Sequence, residues 1–184
     1  MVTSELERPR PDAGGPGSLS SVNNDVSDTD VARAVVEALA DHEDAIGDLY
    51  DAYGAVFGAQ AGFWQGLSAE EYGHGSLMRD LAGPARTRDH DLDVFVDTGR
   101  FPLPELRAAT RDVRDQIELV GSGAVSLVQA LQTALGFEDE MIERESYQVF
   151  DGDADTVAAV LNHLRVSSER HRDRLRDMLQ RETR

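Results

Sequence analysis

Apolar side chains recur at steps of three and four along most of this chain. In residues 31–57, VARAVVEALADHEDAIGDLYDAYGAVF, the recurring positions are Val36, Leu39, Glu43, Ile46, Tyr50, Tyr53 and Phe57, one face of a helix. Asp28, Thr29 and Asp30 stand ahead of it as N-cap candidates. Gly58 to Gly62 permits a turn, and a second helix carries Trp64, Leu67, Glu71, His74, Met78 and Leu81 on one face until Gly83-Pro84 ends it. Residues 84–104 have no sustained period and contain three prolines, so they read as a connector. A further helical run from Pro104-Glu105 breaks at Gly121-Ser122-Gly123. From Ala124 a third long helix carries Val128, Leu131, Leu135, Ile142 and Val149. The last places Val157, Leu161, Leu164, Ser168, His171, Leu175 and Met178 together. Val94-Phe95-Val96 is too short to build a sheet, so the class is all-α. Two short-looped helix pairs joined by a long connector imply an antiparallel four-helix bundle of two hairpins with one crossover.

Residues 1–27 are rich in Pro, Gly, Ser, Asn and Asp, lack an apolar period and read as a disordered N-terminal tail. The bundle then occupies 28–184, with an extra helix inside the connector at about 84–123. Composition narrows the function classes. The 184 residues carry 35 acids against 18 cations, a formal charge of −17, and every cation is arginine. Such a charge repels nucleic-acid backbones and anionic lipid, which argues against both as partners. The absence of cysteine excludes disulfides, thiolate zinc, an iron–sulfur cluster and a cysteine nucleophile. No apolar run approaches the roughly 18 residues of a membrane span, and the first residues lack a signal-peptide apolar stretch, so a cytoplasmic location is expected. Asp outnumbers Glu, 21 to 14, which fits a halophilic cytoplasm better than base composition alone.

The chemistry sits on the apolar faces. Glu71-Tyr72-Gly73-His74 puts a carboxylate and an imidazole three apart on one helix face, where both can reach one metal ion. Glu43 lies in the same kind of register between Leu39 and Ile46. A charge on an apolar face is costly unless it is paired or ligated. The second half repeats the spacing: Glu43 to His74 and Glu140 to His171 are both 31 residues, and Tyr50 and Tyr147 each follow the first Glu by seven. The apolar frame favours Glu138 instead, since Leu131, Leu135 and Ile142 share its face; Glu138 ranks ahead of Glu140. A buried Glu–His hydrogen bond without metal is the plainer alternative for Glu71 and His74. His42 and His163 are expected at partly exposed positions, and Trp64 and Tyr50 among core aromatics.

The stretches DHEDAIGDLYDAYGAVF, FWQGLSAEEYGHGSLMRDL, ALQTALGFEDEMIERESYQVF and VLNHLRVSSERHRDRL resemble the ferritin-like superfamily, rubrerythrin-related proteins above all. The resemblance implies a ferritin-like bundle holding iron as one or two ions, with manganese suited to the same donors, and no haem. Its ligands would be Glu43, Glu71, His74, Glu138 and His171, with Tyr50 beside them. It also implies Fe(II) oxidation or peroxide reduction, an external electron donor, and a homodimer or higher homo-oligomer. The pattern departs at Ser168, three before His171, where the family carries a further Glu that would bridge the metals; Glu169 and Glu140 are the nearby substitutes. That departure also motivates the opposite expectation, a degenerate bundle kept as a structural or interaction module.

Overall fold

The computed structural model describes residues 27–83, 89–92, 95, 102–143 and 154–184. Its long elements are all α-helices, and no strand occurs among the described residues: α1 spans Asp28–Val56, α2 Ala61–Ala82, α3 Leu103–Gly121, α4 Leu127–Glu143 and α5 Asp155–Glu182. Residues 1–26 of the expected tail, together with Tyr147 and Val149, lie outside the described residues. No helix among them is long and apolar enough to cross a membrane.

Helix α1 starts where the Ser27 hydroxyl accepts the Asp30 backbone N–H at 3.1 Å, so serine, not the expected Asp or Thr, is the cap. Asp28 and Asp30 in its first turn complement the helix dipole. The chain then reverses through the Gly58–Gln60 turn and α2 packs along α1. Glycine makes this contact close. A Cβ on Gly75 would collide with Asp44 Oδ1 and come within 3.1 Å of the Ala40 carbonyl oxygen. Helix α3, in the stretch expected to hold the connector, also packs on α1, while α4 pairs with α5 and α5 touches α2.

The apolar interior is split in two. One half gathers Val36, Leu39, Met78, Leu81, Phe95, Leu106, Leu161 and Leu164. The other gathers Leu49, Tyr50, Tyr53, Trp64, Leu67, Val113, Leu131 and Leu175. Along α1, α2 and α5 the switch from one half to the other falls at the same level. That level holds the buried polar residues His42, Glu43, Ser68, Glu71, His74, Ser167, Ser168 and His171, with Glu138 of α4 joining them.

Candidate metal centre

This polar layer brings together the five residues that the apolar registers single out. Glu43, Glu71, His74, Glu138 and His171 come from four helices, and none is more than 5% exposed. Their donor atoms form two groups, Glu43–Glu71–His74 and Glu71–Glu138–His171, each with atoms within 4.8 Å of one another. Glu71 belongs to both. Its Oε2 accepts from His74 Nδ1 at 2.8 Å, while its Oε1 lies 2.6 Å from His171 Nδ1. A carboxylate that sends one oxygen to each of two imidazoles has the arrangement of a bridging ligand. The expectation placed the bridge at the position of Ser168; in the folded chain Glu71 occupies the shared place.

The Glu71–His171 contact is informative in another way. Although the atoms are close, their angles do not form a hydrogen bond, and both are buried without any other hydrogen-bond partner among the described residues. Two buried polar atoms this close without a well-angled hydrogen bond are compatible with a shared ion as their partner. Around them, Glu43 Oε2 lies 3.5 Å from His74 Nδ1, and Glu138 Oε1 lies 3.4 Å from His171 Nδ1. Tyr50, buried in α1, donates its hydroxyl proton to Glu138 Oε1 at 2.8 Å.

Electrostatics follow from burial and proximity. Burial disfavours the imidazolium of His74, but Glu43 and Glu71 outweigh it and raise the pKa to about 10. Glu71 and Glu138 act likewise on His171, against its burial, and raise it to about 11. Glu138 is pushed up to about 7, first by burial and then by the Glu71 charge. Burial, with Glu138 and Glu71, holds the Tyr50 phenol well above its ordinary value. Without metal, protons on the two imidazoles therefore balance the carboxylates; an ion entering the layer would displace them.

The sequence pattern missed Glu70. Its Oε2 accepts from His171 Nε2 at 3.0 Å, and its Oε1 accepts from Arg174 at 2.6 Å. A carboxylate on Nε2 fixes which ring nitrogen carries the proton and leaves Nδ1 facing the other carboxylates. Although its partial burial opposes ionisation, His171 and Arg174 lower the Glu70 pKa. The available signal was the Glu70-Glu71 doublet together with an arginine three after His171. Other expectations resolve simply. Glu140 is half-buried and joins neither donor group. Glu169 pairs with Arg165 at 2.8 Å on the outside of α5 and does not replace Ser168, which is buried. His163 is exposed as expected, with its ring edge-on to His74. His42 is not: it is 2% exposed, with Nδ1 3.2 Å from the Thr110 hydroxyl of α3, because α3 covers that side of α1. Comparison with family models, curated proteins and solved structures finds no match for this chain.

Proposed function

We propose that this protein is a ferritin-like metalloprotein that holds a pair of divalent ions, iron first and manganese second, in the polar layer of its core. In this reading α1 with α2 and α4 with α5 are the two hairpins of the bundle, and α3 belongs to the crossover between them. The observation that carries it is the split of Glu71 between His74 and His171, each triad adding one further carboxylate. Hard carboxylate oxygens with imidazole nitrogens suit iron and manganese, and the unpartnered Glu71 Oε1 and His171 Nδ1 fit a metal-holding role.

Glu43, Glu71 and His74 would hold one ion, and Glu71, Glu138 and His171 the other. Bound iron would supply the electron change for Fe(II) oxidation or for peroxide reduction. The chain supplies the setting. Glu70 holds the His171 proton on Nε2, and Tyr50 fixes one oxygen of Glu138. The apolar halves above and below exclude water from the layer. With no cysteine in these 184 residues, electrons for turnover would come from a donor outside them.

Metal content decides the matter. Untagged protein purified after iron supplementation, without chelators, should carry close to two ions per chain by ICP-MS, and Glu71→Ala should carry none. Ser168 favours the second reading, a bundle that has lost its chemistry and serves as a structural or interaction module. That reading holds if folded protein takes up no Fe(II) or Mn(II) under anaerobic loading.

A further inference from the structure

We propose that the cleft between α1 and α3 is a second binding site, for a small organic molecule carrying two or more oxyanion groups, phosphate or carboxylate. The cleft has a volume of about 520 Å³, within the range that holds ligands of that size, and it shares no lining residue with the two donor groups of the polar layer. Arg107, Arg111 and Arg114 of α3 line one side, and Glu37 and Asp41 of α1 line the other. Between them α1 turns only the small Ala34 and Ala38 to the cleft, which leaves room between the two walls.

The arginine wall is unusual for this chain. With 35 acids against 18 arginines, carboxylate partners are plentiful, and Arg79, Arg165, Arg174 and Arg176 each hold at least one. Arg107, Arg111 and Arg114 make no hydrogen bond or ion pair with any described residue. Their spacing of four and three sets them on one face of α3 over about 10 Å, where like charges oppose one another. The acids of the same cleft do not relieve them, because Glu37 and Asp41 pair with Arg79 of α2 at 3.2 and 3.1 Å. Three guanidinium forks thus border the cleft with their donors unused, exposed and reachable without any movement of the core. Each fork matches the paired oxygens of a phosphate or carboxylate, and a row of three suits a ligand with more than one such group. Across the cleft, Glu37 meets Arg79 through Oε1 and Asp41 through Oδ1, so Oε2 and Oδ2 can accept from hydroxyl or amine groups of the same ligand.

The test is isothermal titration calorimetry of the full-length protein in metal-free buffer, with ADP, pyrophosphate and citrate as probes. Wild type should bind at least one of the three, at one per chain, and the phosphate probes against citrate separate the two oxyanion sources. Arg111 stands in the middle of the row and is exposed, so its substitution leaves the core packing in place. Arg111→Ala should weaken that binding by about 10-fold or more, and Arg111→Lys, which keeps the charge but loses the fork, by a smaller factor. Arg181→Ala is the control: this exposed arginine in the last turn of α5 lies outside the cleft, and its loss changes the net charge equally. It should leave the affinity unchanged. A wild type that binds none of the probes at millimolar concentration would overturn the proposal. Equal weakening by Arg181→Ala and Arg111→Ala would overturn it too, since net charge and not the cleft would then account for the binding. Neither result bears on the metal reading, which does not involve this cleft.

Discussion

A carboxylate 2% exposed between two imidazoles is stable only as part of a charge-compensated set, and Glu71 is the residue on which the whole layer turns. Because it belongs to both triads, Glu71→Ala should abolish both ions, whereas Glu43→Ala or Glu138→Ala should each cost one; stoichiometry by equilibrium dialysis separates the cases. Glu70 acts through another residue. Freed from Glu70, the His171 ring loses the partner that fixes its tautomer and orientation. Glu70→Ala is expected to weaken the Glu71–Glu138–His171 site by about 10–100-fold in a competing-chelator titration, leaving the other site nearly unchanged. Equal weakening of both sites would show that Glu70 only supports the fold. At this scale Glu43, Glu71, His74, Glu138 and His171 were legible because each falls in an apolar register, where a polar group demands a reason. Glu70 was not legible, since nothing in a linear pattern says that it reaches across to α5.

At the scale of the element, the helices owe their positions to small residues as much as to the apolar stripes. Gly75 lets α1 and α2 approach until Asp44 and Ala40 lie against its backbone, one residue beyond His74. Gly75→Ala should therefore destabilise by about 1–3 kcal/mol, the usual cost of overpacking, read as a lower urea midpoint. It should also disturb the site through the separation of Glu43 from His74. Ser27→Ala removes the α1 cap and should cost about 1 kcal/mol without any effect on metal uptake. The long helices were legible from their period of three and four, and the breaks at Gly58, Gly83-Pro84 and Gly121-Ser122 mark real ends. The contact of α3 with α1 was not, and it is the reason that His42 is buried against Thr110. A helix end can be read locally; the neighbour that covers a helix face cannot.

For the molecule as a whole, the polar layer makes metal-free stability depend on pH. Metal-free His74 and His171 sit at about 10 and 11, above the ordinary 6.5, so their contribution is complete below about pH 6.5 and is lost as the pH rises through 10–11. Glu138, raised to about 7 from 4.5, adds a loss between about pH 4.5 and 7, ahead of the histidines. The metal-free protein should accordingly lose stability from these groups between pH 6 and 10 in urea titrations, and His74→Gln with His171→Gln should flatten the slope. Metal binding needs the imidazoles deprotonated, so loading near pH 7.5 should release about two protons per chain, seen with an indicator dye in weak buffer. At a free metal concentration 100 times its Kd, the loaded protein should be about 2.7 kcal/mol more stable per site. Absence of proton release on loading would contradict ligation by these rings.

Periodicity alone specified the all-helical class and singled out Glu43, Glu71, His74 and His171, with Glu138 ranked ahead of Glu140, because a helix repeats every 3.6 residues and a charge in an apolar register is conspicuous in one dimension. Composition alone excluded thiolate chemistry. Only the tertiary structure decided that those five residues lie at one level between two apolar halves, that Glu71 is shared, and that Glu138 and not Glu140 faces the site. It also decided that Glu70 and His163 stand beside the imidazoles. The reason is geometric: register fixes the direction of a side chain around its own helix, but the height at which helices meet depends on turns and on close contacts such as Gly75 against Asp44. Ligands must converge in all three dimensions, and that convergence comes from packing.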